Sequence, residues 1–139
     1  MKRLTGLIRL HRWKLEERLR DLRELERLYE RLQSQASDLD AELSRERTVA
    51  MDSHEANHTI GGYVEKTIGR KRKLKDSMSE VVNQIGELES AVAEAYRELK
   101  KYELTEANQL QRQRKHLERR QQIELDEISL NTHRRRVAN

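Results

Sequence analysis

The sequence contains no cysteine, no proline and no phenylalanine, and only 4% of its 139 residues are aromatic. The absence of cysteine fits a reducing compartment, where disulfides are rare. The absence of proline removes the strongest helix breaker, which costs about 3 kcal/mol in a helix interior. No apolar run approaches the roughly 20 residues that span a bilayer, and the basic start has no uninterrupted signal-peptide core. These absences favour long helices in a cytoplasmic protein.

The chain is also poor in apolar side chains, because 39% of its residues are charged and only 35% are hydrophobic. A compact domain of this length normally devotes nearer half of its residues to apolar types, so this chain cannot fill a thick core. Disorder by charge repulsion is disfavoured, since 29 basic and 25 acidic residues leave a net charge of only +4. The composition therefore favours thin, solvent-exposed helical packing.

Apolar residues recur in the first third of the chain as the a/d pair of a seven-residue repeat, which is typical of a coiled coil. Counted from Met1, eleven of the thirteen positions of this seam are apolar. His11 and Arg18 are the two polar positions, and we interpret His11 as a tolerated or paired coiled-coil residue. The seam comprises Met1, Leu4, Ile8, His11, Leu15, Arg18, Leu22, Leu25, Tyr29, Leu32, Ala36, Leu39 and Leu43.

The repeat fails over residues 49–62, where Gly61 and Gly62 mark a break, and then resumes in a second seam. After Tyr102 the register fails again, and a weaker, shifted stripe follows, which consists of Leu110, Leu117, Leu125 and Ile128. The second seam comprises Ile60, Val64, Thr67, Lys71, Leu74, Met78, Val81, Ile85, Leu88, Val92, Ala95, Leu99 and Tyr102.

Two matched seams with a short break between them predict an all-α fold, a long antiparallel two-helix coiled-coil hairpin. Residues whose numbers sum to roughly 112 are expected to lie level, which pairs Leu25 with Leu88. The second helix then continues about twenty residues past the first. A parallel dimer would use the same heptads, and the sequence alone leaves it open, although such a dimer has no use for a glycine pair. The predicted single domain, 1–139, has helix 1 at about 3–48, a hinge at about 49–62, helix 2 at about 63–131 and a frayed tail at 132–139.

The motif His54-Glu55-Ala56-Asn57-His58 matches H-E-x-x-H, which on a helix places two histidines on one face for zinc and leaves the glutamate as a general base. A zinc enzyme also needs a third ligand and a concave pocket, which a thin hairpin does not provide. We interpret the motif as a polar hinge. No other pattern indicates a nucleophile or a phosphate-binding loop, so we expect no catalytic residue, no metal and no cofactor.

Basic side chains are concentrated in three segments. Residues 1–14 hold five basic and no acidic side chains, and residues 109–139 hold eight basic and four acidic ones. The run RKRKLK at 70–75 is the third. Acidic stretches lie between these segments and aromatic residues for base stacking are scarce, so no nucleic-acid partner is expected. The basic N-terminal segment could lie on an anionic membrane, but its apolar residues serve equally as the start of a coiled coil, which we prefer.

Two segments resemble the flagellar export protein FliJ family and the related stalk proteins of type III secretion, particularly the short alphaproteobacterial type. They are LIRLHRWKLEERLRDLRELERL at 7–28 and AYRELKKYELTEANQLQRQRKHLERRQQIELDEISL at 95–130. The resemblance covers most of the chain. It implies an antiparallel two-helix rod, similar to the central stalk of rotary ATPases, that enters a hexameric export ATPase ring.

The resemblance further implies a non-enzymatic role in which the rod couples the ATPase to the export-gate membrane protein and handles export chaperones. The expected location is cytoplasmic at the flagellar base, with only peripheral membrane contact through the export apparatus. The competing class is a homodimeric structural or tethering coiled coil. The expected partner-binding residues are an exposed apolar stripe and its basic neighbours, namely Lys2, Arg3, Arg9, Leu110, Arg112, Arg114, Lys115, Leu117, Arg119, Arg120, Leu125 and Ile128.

Overall fold

The computed structural model describes the backbone of residues 2–52 and 54–138, and the side chains of residues 3–52 and 60–138. Helix α1 covers Lys2–Asp52 and helix α2 covers His54–Ala138. The described residues are entirely helical, and the two helices pack against each other as an antiparallel hairpin. The predicted fold class is therefore confirmed. No helix of the described part is long and apolar enough to cross a membrane.

By its internal contacts the chain divides into two units. Unit 1 combines Met1–Arg12 with Arg97–Asn139, and unit 2 is Trp13–Tyr96. That residues 1–139 form a single domain stays a prediction.

Unit 2 has the predicted antiparallel register. Lys71 of α2 forms an ion pair with Asp40 of α1. Leu39 and Leu74 line one shallow groove, as expected for residues whose numbers sum to about 112. Nearer the helix ends, partial burial and a hydrogen bond to the Glu42 carboxylate raise the pKa of Tyr63. Each of these contacts joins one helix to the other within this unit.

The interface between the helices contains the seam residues that the heptads predict. Every seam position from Leu4 to Tyr102 whose side chain is described is buried or partly buried, except Arg18, which is exposed. Arg18 can keep its charge in water because its long side chain reaches past the seam. Among the described residues the buried apolar side chains are Ile8, Leu43, Ala50, Val81 and Leu99. The core is one residue layer thick, as the low apolar content requires.

The predicted hinge is too long. Residues 49–52 belong to α1 and residues 54–62 to α2, and no described glycine has a positive φ. Helical Gly61 and Gly62 cost about 1 kcal/mol each relative to alanine. Apolar packing offsets that cost, because Ala50 is buried beside Ile60 and Val64. The side chains of the His54–His58 motif lie outside the described residues.

The predicted end of helix 2 at about residue 131 is too early, because α2 continues to Ala138; that the last residues fray stays a prediction. Arg135 and Arg136 lie in its last turn, where positive charge interacts favourably with the negative end of the helix dipole. The Thr132 hydroxyl donates a hydrogen bond of 2.8 Å to the carbonyl of Ile128, within the same stretch. Local contacts of this kind stabilise the helix where none of the described residues of α1 covers it.

The register predicts that cysteines introduced at Leu25 and Leu88 form a disulfide within one chain under mild oxidation. Both side chains are partly buried seam residues of unit 2. If the predicted register sets them level, their backbones should approach closely enough for the short Cα–Cα distance that a disulfide needs. The measurement is the mobility of the oxidised chain on a denaturing gel. Cysteines at Leu25 and the exposed Val82 are the control, which should stay unlinked. Linkage only between chains would show that the pairing is intermolecular.

Candidate partner-binding surface

The interface of unit 1 contains a mixed polar and aromatic layer. The ring of His11 stacks on that of Tyr102, with the centroids 4.8 Å apart and the planes inclined by 22°. Where side chains of this unit are described, Ile8 and Leu99 are the buried ones. The stacking shows that the polar seam position His11 is paired, as the sequence indicates.

Beside this layer, Glu103 accepts a hydrogen bond of 3.2 Å from Lys100 and one of 3.4 Å from Arg12. The bond from Lys100 contributes most to lowering the pKa of Glu103, the contact with Arg12 adds to it, and partial desolvation opposes it. The Arg12–Glu103 pair joins α1 to α2, but exposed ion pairs contribute little to stability. Its main effect is on the register of the two helices.

Past Glu106 the described part of the second helix is no longer covered by the first. Every residue from Ala107 to Ala138 is exposed, yet the helix is unbroken. We call residues 110–138 the extension. It contains eight basic and four acidic side chains, so it is both positively charged and partly apolar.

The first apolar face of the extension continues the buried face of the hairpin. Successive residues of an α-helix are about 100° apart around its axis. Leu110, Leu117 and Ile128 therefore lie within about 20° of the direction of the buried Leu99, whereas Leu125 lies about 80° away, at the edge of this face. All four predicted apolar site residues are exposed, and three share one face. We call Leu110, Leu117 and Ile128 face A.

The predicted basic site residues do not all accompany face A. Arg114 and Arg120 flank it, at about 60° on either side of Leu99. The other three, Arg112, Lys115 and Arg119, lie on the opposite side of the helix, at about 140° to 160°. Because the five basic residues are close in sequence, the sequence suggested that they form a single surface. The helical geometry instead places two of them beside face A and three on the opposite side of the helix.

The N-terminal basic residues belong to the same unit as the extension. Arg3 and Arg9 are exposed, and the side chain of Lys2 lies outside the described residues. Because His11 is level with Tyr102, the antiparallel register places Arg3 close to the level of Leu110. The N-terminal cations therefore lie near the start of the extension.

The sequence interpretation missed three apolar residues of the extension. Ile123, Leu130 and Val137 are exposed and lie about 120° to 160° from Leu99, on the side opposite to face A. We call these three residues face B; Arg112 and Arg119 lie on the same side. Their seven-residue spacing was visible in the sequence, but the polar residues between them conceal it.

The basic run at 70–75 is partly neutralised by α1. Lys71 pairs with Asp40, and Arg70 and Lys73 line the same groove as Asp38 and Glu42. A surface for a nucleic-acid backbone requires unopposed positive charge, so this run is a poor candidate. In the described part of the chain, no group of three or more histidine, cysteine, aspartate or glutamate side chains could hold a metal ion.

Comparison with known proteins identifies the family. No curated protein and no solved structure matches the chain. A family model described as "Flagellar FliJ protein" matches residues 1–138, which is nearly the whole chain. The chain therefore belongs to the FliJ family of non-enzymatic flagellar export components.

Proposed function

We propose that this chain stimulates the hexameric flagellar export ATPase by inserting the extension into the central opening of the ATPase ring. The observation that carries the proposal is the continuation of the buried hairpin face, through Leu110, Leu117 and Ile128, into a segment of helix that no other described residue covers. An apolar helix face without a partner is usually a docking surface.

The charge of the extension favours an acidic partner. It has an excess of four basic side chains, and Arg3 and Arg9 lie near its start. Complementary charge accelerates association and orients the partners, while adding less to the final affinity. A ring whose central opening is lined with carboxylates would attract the extension and guide it inwards.

Stimulation needs no chemistry from this chain. A helix that binds one nucleotide state of a ring subunit more tightly than another shifts the population towards that state. The coupling free energy equals the difference in affinity between the two states. The extension would then accelerate the slow step of the ATPase cycle through contacts alone.

The same proposal includes two further partners and a location. The hairpin would connect the ATPase to the export-gate membrane protein and would bind free export chaperones, at the cytoplasmic side of the flagellar base. Membership of the FliJ family supports these partners, because the family is a component of flagellar export. Membrane contact would be peripheral and would pass through the export apparatus.

Reversing the charge of Arg114, Arg119 and Arg120 to glutamate is expected to weaken binding to the purified ATPase ring at least tenfold. Each reversal removes one positive and adds one negative charge, so the net charge of the chain falls from +4 to −2. The dissociation constant is measured by titration at several salt concentrations. Added salt should weaken binding of the parent chain and have a smaller effect on the variant.

The control reverses Arg20, Arg23 and Arg27, which are three exposed arginines of α1 in unit 2. It changes the net charge equally, so it separates local contact from overall charge. Control and test variants that bind equally weakly would show that net charge alone governs binding. If the parent chain did not bind the ring at any salt concentration, the proposed function would be wrong.

A further inference from the structure

The basic run at 70–75 is divided between two sides of the hairpin in unit 2. Successive residues of a helix are about 100° apart around its axis, so Arg70 and Lys73 lie on one side. Arg72 and Lys75 lie on the other. The first two share their groove with two acidic side chains of α1, as described above. The second two line a groove that contains a single acidic side chain, so positive charge is in excess on their side.

We call this second side the basic side. It comprises the residues that line two grooves between the helices, namely Ala36, Asp40, Arg47, Ala50, Met51, Ile60, Val64, Ile68, Lys71, Arg72, Lys75 and Met78. Asp40 is its one acidic member, and it forms an ion pair with Lys71. The other cations, Arg47, Arg72 and Lys75, are exposed. Four basic members and one acidic member give the basic side a net charge of +3.

The members from α2 form one continuous strip along the helix. All seven lie between about 20° and 140° from the buried Thr67, in the same sense of rotation. From Ile60 to Met78 the strip is about 27 Å long, at about 1.5 Å per residue. Glu65 and Asp76 are the acidic residues of this described range, and they lie about 160° to 180° from Thr67, directed away from α1. Neither of them therefore belongs to the strip.

Two large apolar side chains are exposed among the cations of the basic side. Met51 is 89% exposed and Ile68 is 45% exposed. Cations that alternate with exposed apolar side chains are typical of segments that lie on anionic membranes, where the apolar groups enter the headgroup layer and the cations attract the lipid phosphates. Long basic side chains suit this arrangement, because their apolar stems lie along the membrane while their charged ends reach the headgroups.

We propose that the basic side binds the surface of an anionic lipid bilayer. Two helices packed side by side present a flat surface, and a bilayer presents its negative charges in a plane, so cations of both helices can meet headgroups together. Each lysine or arginine held at such a surface strengthens binding about fivefold. This direct contact goes beyond the proposed function and does not depend on the ATPase. It is additional to the membrane contact through the export apparatus.

Two other occupants fit the basic side less well. A partner helix that docks in a groove needs apolar anchors three or four residues apart along it. At that spacing from Ile68 the groove instead presents Lys71 and Arg72, and then Lys75. A nucleic-acid backbone would contact the cations but would leave Met51 and Ile68 in water. A bilayer surface accommodates both the cations and the apolar side chains.

The extension is a poorer candidate for the same contact. Its five basic residues at 112–120 are divided between two sides of a single helix, as described above. A flat membrane can therefore meet only some of them at once. The basic side directs its cations to one side of the hairpin, and for this reason we assign the membrane contact to it.

The test reverses Arg47, Arg72 and Lys75 to glutamate in the full chain. The parent chain is expected to float in a density gradient with vesicles of phosphatidylglycerol and phosphatidylcholine in equal parts, and to remain unbound when the vesicles contain phosphatidylcholine alone. Each reversal replaces attraction to the headgroups by repulsion, so the variant should bind the anionic vesicles about tenfold more weakly or worse. All three side chains are exposed, so circular dichroism should show the helicity of the parent.

The matched control reverses Lys66, Arg70 and Lys73, which are exposed on the opposite side of the same helix. Both variants lower the net charge of the chain from +4 to −2, so they differ in the side that changes. The control is expected to bind the anionic vesicles within about threefold of the parent, because salt screens charges on the far side. Test and control variants that bind equally weakly would show that overall charge governs binding, and the inference would be wrong.

Reversal of Arg114, Arg119 and Arg120 distinguishes the extension from the basic side in the same flotation assay. This variant should bind anionic vesicles as the control does. If it loses binding while the basic-side variant binds as the parent, the extension meets the bilayer and the inference is overturned. A parent chain that binds an acidic amphipathic peptide but no anionic vesicle would overturn it too, since the occupant would then be a protein helix. The assay contains no ATPase, so each of these failures leaves the proposed function standing.

Discussion

Replacing Leu99 by alanine is expected to lower the free energy of unfolding by about 2–4 kcal/mol. Leu99 is 6% exposed, and among the described residues of unit 1 it and Ile8 are the buried apolar ones. A core only one residue layer thick has few neighbours that could collapse into the space that the leucine leaves. The loss therefore includes both the transfer energy of the side chain and the cost of a residual cavity. Urea unfolding followed by circular dichroism measures it.

The chain provides a matched control five residues further along the same helix. Leu104 is 63% exposed, so Leu104→Ala should change the free energy of unfolding by no more than about 0.5 kcal/mol. Leucine and alanine both favour helices, so the two substitutions differ mainly in the burial of the site. Equal losses at the two positions would show that Leu99 does not belong to the core.

Heptad spacing was sufficient to predict the interface of the hairpin. A seam residue must face the partner helix once the period is known, so Leu39 and Leu74 could be paired by counting from an assumed turn. The polar seam position His11 was compatible with the same register because its ring finds Tyr102. Arg18 departs from the pattern, since a guanidinium group can leave the interface for water.

The helix ends could not be predicted in the same way. Gly61 and Gly62 carry a local cost that favours a break, and the sequence shows that cost without showing the packing that offsets it. The burial of Ala50 beside Ile60 supplies that packing, and it depends on how the two helices meet. Whether the glycine pair ends the helix or is tolerated within it therefore depends on the tertiary structure.

The sequence was sufficient to locate the exposed segment of helix but not the arrangement of its side chains around the helix axis; that this segment is the binding site stays a prediction. The loss of the heptad register after Tyr102 located the extension. Which residues share a side was misjudged, because Arg112 and Arg119 are close to Leu117 in sequence but lie on the opposite side of the helix. A continuous helix also exposes face B, which a search for one amphipathic stripe overlooks.

Deleting residues 110–139 is expected to reduce stimulation of the export ATPase to the unstimulated rate. The deletion removes the extension, with both apolar faces and eight basic side chains, and it leaves every buried residue of the described hairpin in place. The hairpin should therefore keep its unfolding midpoint. The measurement is the rate of ATP hydrolysis by the purified ring, titrated with full-length or truncated chain.

A full-length variant distinguishes the effect of the apolar side chains on ATPase stimulation from the effects of the length and charge of the extension. Replacing Leu110, Leu117, Leu125 and Ile128 by glutamine keeps the net charge of +4 and strong helix formers throughout. If apolar docking transmits the effect, this variant should stimulate no better than the truncated chain. If it stimulates fully while the truncated chain does not, charge and length are sufficient. A truncated chain that stimulates as well as the parent would place the functional surface nearer the turn between the helices, because residues 110–139 would then contribute nothing to the ATPase.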